Sequence, residues 1–161
     1  MKVKELMQTS VATVREDETL TIVDDLMKTG WVRHLPVINA TNQLKGVITQ
    51  RDVLKASMSS MAGADPAAQQ QWLNQMLVRN VMTKKPITIG AEADISEAID
   101  KILAGKFGCL PVTEEGKMVG LITETDLLRH LRTLVTKRRA SSRTSTRAGK
   151  KKRATAKSIS Q

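Results

Sequence analysis

Residues Gly46-Val47-Ile48-Thr49-Gln50-Arg51-Asp52 recur downstream as Gly120-Leu121-Ile122-Thr123-Glu124-Thr125-Asp126. On either side of these two stretches, Leu35-Pro36-Val37 corresponds to Leu110-Pro111-Val112, Met7 to Met82 and Gly30 to Gly105. Anchors that recur in one order at a nearly constant spacing mark an internal repeat, which buries its apolar face against a neighbouring copy. The chain is therefore predicted to contain two copies of one structural unit.

Each copy carries the same predicted elements: a short extended lead-in, a helix, two strands joined by a turn, and a second helix. In the first copy, Thr19 is a candidate N-cap for a helix with apolar residues three and four apart, and Gly30 is expected to close it. The polar residues 39–43 lie between two short apolar runs, which predicts a hairpin. A unit with so few strands cannot cover its own apolar face, so the copies are expected to pack together with pseudo-two-fold symmetry. The predicted class is α/β (α+β), with two β-α-β-β-α repeats.

The predicted organisation has four parts along the chain. They are repeat 1 at residues 1–57, a helical connector at 58–77, repeat 2 at 78–131 and a basic tail at 132–161. Gly63 and Pro66 in the connector predict a helix extension, a break and a second helix.

The composition indicates a globular protein in a reducing, cytoplasmic setting. The 161 residues include one cysteine, Cys109, which excludes an internal disulfide. The N-terminal residues lack the apolar run of a secretory signal, and no stretch approaches the roughly 18 apolar residues of a membrane span.

The net charge of +10 is concentrated in the predicted tail. Residues 132–161 hold 11 of the 26 Lys and Arg residues and no acidic residue, which leaves 15 basic against 16 acidic residues in the remainder. Such a segment is expected to be disordered or partly helical and to attract polyanions. Its candidate partners are nucleic acid (including ribosomal RNA), an acidic protein or an anionic membrane surface, and the alternative is a merely solvated tail. The candidate contacts are Lys137, Arg138, Arg139, Lys150, Lys151, Lys152 and Arg153.

The paired Gly-x-x-Thr-x-x-Asp segments, the matched Leu-Pro-Val triplets and the opening methionines resemble a tandem pair of CBS domains over about residues 3–131. The resemblance implies a flat disk with two clefts between the repeats. Each cleft would take AMP, ADP, ATP, S-adenosylmethionine or a related adenosyl ligand, with no cofactor required. It also implies a homodimer and an effector protein that the sequence does not name.

The resemblance assigns roles to individual residues. Thr49 and Thr123 would meet phosphate or ribose, Asp52 and Asp126 the ribose diol, and the backbone near Ala12 and Ile87 the adenine. Arg33 and His34 would bind phosphate, whereas Gly108 and Cys109 replace them in repeat 2. That second cleft would then lack a cation unless Lys84, Lys85, Lys106 or the other repeat supplies one.

The residue types support these roles independently. Gly46 and Gly120 would let a ligand approach the backbone, and a threonine at a helix start places free N–H groups toward an anion. A carboxylate can accept hydrogen bonds from two neighbouring hydroxyls, as ribose offers.

Structural alternatives stand beside these roles. Thr-x-x-Asp is close to a capping box. His34 could be an ordinary packed histidine, and Cys109 is expected to be a buried, unreactive thiol. Trp31 and Trp72 are expected to pack between repeats or subunits, although either could stack on a base.

The sequence contains no His-Glu-x-x-His metal motif, no nucleophile elbow and no glycine-rich phosphate loop, so no enzymatic activity is expected. The leading hypothesis is a regulatory ligand sensor. The alternative is a structural dimerisation platform whose basic tail binds nucleic acid or another polyanion.

Overall fold

The computed structural model of the chain describes residues 1–61, 63 and 65–137, with side chains left out at 59–61. Most of the predicted tail contacts, from Arg138 to Arg153, lie outside the described residues. Residues Met1–Glu124 form one compact unit, and the chain from Thr125 onward belongs to a second. No helix in the described residues is long and apolar enough to cross a membrane.

The elements follow one another in the order that the repeat predicts. After a 3-10 turn at Val3–Glu5, they are β1 (Val14–Arg15), α1 (Leu20–Gly30), β2 (His34–Ile38), β3 (Leu44–Thr49), α2 (Gln50–Met61), α3 (Pro66–Gln75), α4 (Val78–Val81), β4 (Thr83–Lys84), α5 (Ile95–Gly105), β5 (Cys109–Glu114), β6 (Lys117–Thr123) and α6 (124–137).

The two repeats exchange their opening segments. The first sheet has the order β1-β2-β3-β4, so that β4, which opens repeat 2, pairs antiparallel with β3 of repeat 1. In the reciprocal position, Gln8 of repeat 1 forms an antiparallel bridge with Leu121 of the β5–β6 hairpin. This exchange confirms the predicted fold of two CBS-like repeats related by pseudo-two-fold symmetry.

Both predicted hairpins form, and each has its own turn chemistry. In the first, the Asn39 side chain accepts hydrogen bonds from the backbone N–H groups of Thr41 and Gln43, and Asn42 has φ +61°. In the second, Glu115 and Gly116 both have positive φ, which is typical of the two central residues of a tight hairpin turn.

The apolar core also crosses the repeat boundary. The first cluster buries the apolar face of α1 and the centres of β2 and β3 together with Val78 and Met82 from repeat 2. The second cluster joins Val47 of β3 to Cys109, Met118 and Leu121 of the other hairpin. Because burial of each such side chain contributes about 1.5–3 kcal/mol, neither repeat keeps a complete core without the other.

The end of α1 differs from the prediction in detail. Gly30 is the last helical residue, and the left-handed residue that terminates the helix is Trp31, with φ +51°. Lys106 takes the same place after α5. Trp31 is 92% exposed, so the expectation that it packs between the repeats is wrong for the single chain. Trp72 packs against the first core cluster, as expected.

Candidate functional site

A cleft of about 940 Å³ opens within the first compact unit, between the two repeats. Its walls come from the start of β2, from the end of β3 and the start of α2, from the segment after β4, and from the residues between α5 and β5. Six of the predicted ligand residues of repeat 1 and repeat 2 meet there: Arg33, His34, Thr49, Asp52, Ile87 and Cys109. Volumes between roughly 300 and 1,000 Å³ are typical of small-molecule sites.

Thr49 and Asp52 stand at the junction of β3 and α2. Asp52 Oδ2 accepts hydrogen bonds from the Thr49 backbone N–H at 2.9 Å and from Thr49 Oγ1 at 2.7 Å. Thr49 Oγ1 in turn accepts from the Asp52 backbone N–H at 3.2 Å. The pair therefore caps the helix, as the structural alternative predicted, and it also lines the cleft.

His34 lies beside Thr49, its antiparallel partner on β3. A Cβ added to Gly108 would lie 2.4 Å from His34 Nε2, so the imidazole occupies the space that a side chain at 108 would fill. Burial of the ring is the main cause that lowers the His34 pKa from its ordinary 6.5. The Arg33 cation lowers the His34 pKa as well, whereas Glu124 and Asp52 act in the opposite direction. His34 therefore lies neutral in the cleft at neutral pH.

Part of the lining forms an apolar wall, and cations also line the cleft. Ile87 is 50% exposed and Phe107 37% exposed, and both line the cleft with Pro86 and Pro111. Four cationic side chains also line it: Arg33, Arg51, Lys85 and Lys106. An apolar surface, a carboxylate and several cations match the three parts of a nucleotide, namely base, ribose and phosphate.

Comparison with known proteins agrees with this architecture. The family model described as the CBS domain matches residues 3–59 and 78–133. The chain belongs to the CBS domain family. CBS-domain pairs are regulatory modules, and this chain spans a quarter or less of the enzymes that it matches.

A CBS domain-containing protein of Dictyostelium discoideum is 31% identical over 127 residues, which are 78% of this chain and 88% of that protein. Among solved structures, CBSX2 in complex with AMP matches with a TM-score of 0.70 and 22% identity, over 83% of this chain and 97% of that chain. The CBS domain pair of protein MJ0100, in complex with 5′-methylthioadenosine and S-adenosyl-L-methionine, matches with a TM-score of 0.69 and 19% identity over the same shares. These two similarities concern the fold.

The repeat glycines have a structural role in this CBS pair, and neither Gly46 nor Gly120 lines the described cleft. A Cβ on Gly46 would lie 2.7 Å from both Met82 Sδ and the Thr83 carbonyl oxygen. A Cβ on Gly120 would lie 2.7 Å from Met7 Sδ and 2.9 Å from the Gln8 carbonyl oxygen. Each glycine thus admits the opening segment of the other repeat, and this contact explains why a methionine opens each CBS repeat.

Cys109 occupies the position in repeat 2 that corresponds to His34 in repeat 1. It lines the same cleft as Arg33 and His34, because the CBS repeats pack with β5 facing β3. The thiol is buried, and desolvation raises its pKa to about 12, with a smaller contribution from Glu124. Sequence reasoning anticipated that Lys85 and Lys106 could supply charge, and both line this cleft.

Three of the other predicted ligand residues lie elsewhere. Ala12 is exposed ahead of β1, Thr123 ends β6, and Asp126 belongs to the second compact unit. None of the three lines the described cleft. Among the described residues, no group of three His, Cys, Asp or Glu side chains is arranged to hold a metal ion.

Sequence reasoning did not identify Gln50, Arg51, Phe107 and Glu124 as cleft residues. The repeat could have identified Gln50 and Glu124, since each follows the threonine of its repeat and the two occupy equivalent positions. Arg51 and Phe107 carry no repeat signal, because the equivalent positions hold Thr125 and Val32.

Proposed function

We propose that this CBS pair is a regulatory sensor that binds an adenine nucleotide or a related adenosyl ligand in the cleft. The observation that carries the proposal is the convergence of Asp52, Thr49, the apolar wall and several cations on one inter-repeat cleft. The AMP held by CBSX2 and the adenosyl compounds held by the MJ0100 pair support it, since those proteins share this fold.

Each part of the ligand has a matching surface. The base would lie against Ile87 and Phe107, whose exposed apolar area it would cover. The ribose diol would donate to the Asp52 carboxylate, whose Oδ2 already accepts from Thr49 while Oδ1 remains as an acceptor. The phosphate would lie near Arg33 and the N–H groups at the start of α2.

Ligand binding in the cleft would change the arrangement of the two repeats, because the cleft walls belong to different repeats. Ile87 and Lys85 follow β4, which pairs with β3 through Val47 and is anchored by Met82 against Gly46. A ligand that contacts both this segment and α2 stabilises one arrangement of the repeats over others. A coupling of about 1–3 kcal/mol is typical of such population shifts.

We further propose that the module acts as a cytoplasmic homodimer that an effector protein reads. Exposed apolar side chains on α5 support a second subunit, since Leu103 is 70% exposed and Ile99 38% exposed. Contiguous exposed apolar residues on a helix often mark such an interface. Light scattering against monomer standards tests this part.

The sensor proposal is tested by calorimetric titration of AMP, ATP and S-adenosylmethionine into the wild type and into Asp52→Ala. Loss of binding in Asp52→Ala is expected. Asp65→Ala is the matched control, because Asp65 caps α3 by accepting from the Ala68 N–H at 2.8 Å and does not line the cleft. If the wild type binds none of these ligands, the sensor proposal fails.

A second candidate function is a dimerisation platform whose basic tail binds nucleic acid or another polyanion. The observation that favours it is the absence of acidic residues among the 11 cations of residues 132–161. Since α6 extends to residue 137, a truncation there leaves the described helix complete. Undiminished polyanion binding by this truncated chain would contradict the assignment to the tail.

A further inference from the structure

The cleft concentrates positive charge in a part of the chain that is otherwise balanced. Residues 1–131 hold 15 basic and 16 acidic residues, a balance of −1. The described lining nevertheless includes four cations, Arg33, Arg51, Lys85 and Lys106, against two carboxylates, Asp52 and Glu124. The four cations exceed the two carboxylates by two, so the lining carries a local excess of two positive charges.

The four cations come from four different segments of the two repeats. Arg33 precedes β2, Arg51 lies in the first turn of α2, Lys85 follows β4, and Lys106 follows α5. All four side chains are exposed, and none forms a salt bridge with a described carboxylate. They are therefore available to an anion that enters the cleft from solvent.

The two carboxylates of the lining cannot both offset this charge in the presence of a ligand. Asp52 is held by Thr49 and, under the proposed function, would bind the ribose hydroxyls. Glu124 is the second acidic side chain of the lining. Among adenine-bearing ligands, a phosphate chain gains attraction with each added phosphate, whereas a sulfonium group adds a positive charge to an already cationic cleft.

The cleft also has room for a phosphate chain. Its volume of about 940 Å³ is near the upper end of the roughly 300–1,000 Å³ that small-molecule pockets occupy. Arg33 lies beside the start of α2, whereas Lys85 and Lys106 lie on other segments of the lining. The cations are therefore spread over more of the cleft than one phosphate group would occupy.

We infer that the cleft selects nucleoside polyphosphates over sulfonium-bearing adenosyl ligands, with Lys85, Lys106 and Arg51 as the residues that determine this specificity. The inference rests on the proposed function, since it names the ligand class of the same site. It identifies residues outside the Gly-x-x-Thr-x-x-Asp repeat as the source of discrimination.

The test is a calorimetric titration of the full-length chain with adenosine, AMP, ADP, ATP and S-adenosylmethionine. Affinity is expected to rise from adenosine to ATP and to be lowest for S-adenosylmethionine. Raising the salt concentration is expected to weaken ATP binding and to leave adenosine binding unchanged, because salt screens exposed charges. Inorganic tripolyphosphate, titrated into the wild type and the variants below, separates the two sources of phosphate binding, because the variants change the cleft and leave the tail the same.

Charge reversal identifies the residues responsible. Lys85→Glu and Lys106→Glu are each expected to weaken ATP binding about five- to tenfold with adenosine affinity unchanged. Lys55→Glu is the control, since Lys55 is exposed on α2 and does not line the cleft. Thermal melts of the three variants establish that each remains folded.

Two sets of results would distinguish failure of the specificity inference from failure of the sensor proposal. Equal ATP-to-adenosine affinity ratios in wild type and both reversals, or tighter binding of S-adenosylmethionine than of ATP, would overturn the specificity inference and leave the sensor proposal standing. If neither adenosine nor any other adenine compound binds the wild type, the sensor proposal itself fails, and the specificity inference fails with it.

Discussion

Thr49 and Asp52 form reciprocal hydrogen bonds: the hydroxyl of Thr49 donates to the Asp52 carboxylate at 2.7 Å and accepts from the Asp52 backbone N–H at 3.2 Å. The side chain proposed to bind ribose thus also fixes the first turn of α2. A carboxylate that is already positioned loses little freedom when a ligand binds, which favours affinity. Structural and ligand-binding effects of substitutions here must therefore be measured separately.

Thr49→Ala is expected to destabilise the protein by about 1 kcal/mol, the usual effect of removing a helix cap. The substitution removes the hydroxyl that both donates to and accepts from Asp52. Urea denaturation measures the change in the free energy of unfolding. Thr49→Ser keeps the hydroxyl and should remain close to wild type. Equal stability of the alanine and serine variants would contradict the capping role.

Gly46→Ala and Gly120→Ala are each expected to destabilise the protein by about 1–3 kcal/mol, as overpacking of a filled site does. In both cases the new methyl group would meet a backbone carbonyl oxygen, of Thr83 or of Gln8, which cannot move aside as a flexible side chain can. Denaturation midpoints measure the effect.

Gly90→Ala is the matched control for these glycines. A Cβ at position 90 meets no heavy atom within 4 Å, and Gly90 is not among the residues with positive φ. Its stability should equal that of the wild type. If Gly46→Ala behaves like Gly90→Ala, the exchanged opening segments do not pack as described.

The sequence predicted the local structure well because local structure follows from short-range patterns. The period of the apolar residues fixed α1 and α5, and the polar residues between apolar runs fixed both hairpins. The Thr-x-x-Asp spacing predicted the cap that forms at α2. Each of these features depends on residues within a few positions of one another.

The composition of the cleft could not be predicted in the same way. Cys109 and Lys85 line the cleft of Arg33 because β4 pairs with β3 and β5 packs near it, and these are long-range contacts. The roles of Gly46 and Gly120 also depend on methionines from the other repeat. A repeat pattern indicates that two copies pack together, but it does not specify which of their segments share a cleft.

Cys109 is expected to react very slowly with a thiol reagent in the folded protein. Burial raises its pKa to about 12, so at neutral pH the thiolate, which is the reactive form, is scarcely populated. The rate of modification by iodoacetamide, followed by mass spectrometry, should rise sharply when urea unfolds the chain. A native rate equal to the unfolded rate would show that the thiol is open to solvent.

His34 is expected to make the stability of the protein fall as the medium is acidified. Burial lowers the folded-state pKa of His34 below its ordinary value of 6.5, so the unfolded chain takes up a proton at a pH where the folded chain does not. The contribution of His34 is therefore fully present above 6.5 and is lost as the pH falls from 6.5 toward the lower folded-state pKa.

Melting temperatures of wild type and His34→Gln, measured between about pH 5 and pH 8, test this linkage. The wild type should lose more stability than His34→Gln over the acidic part of the range, because the variant has no imidazole to protonate. Parallel profiles for wild type and His34→Gln would contradict the assignment, because they would show that protonation of His34 does not differ between the folded and unfolded states.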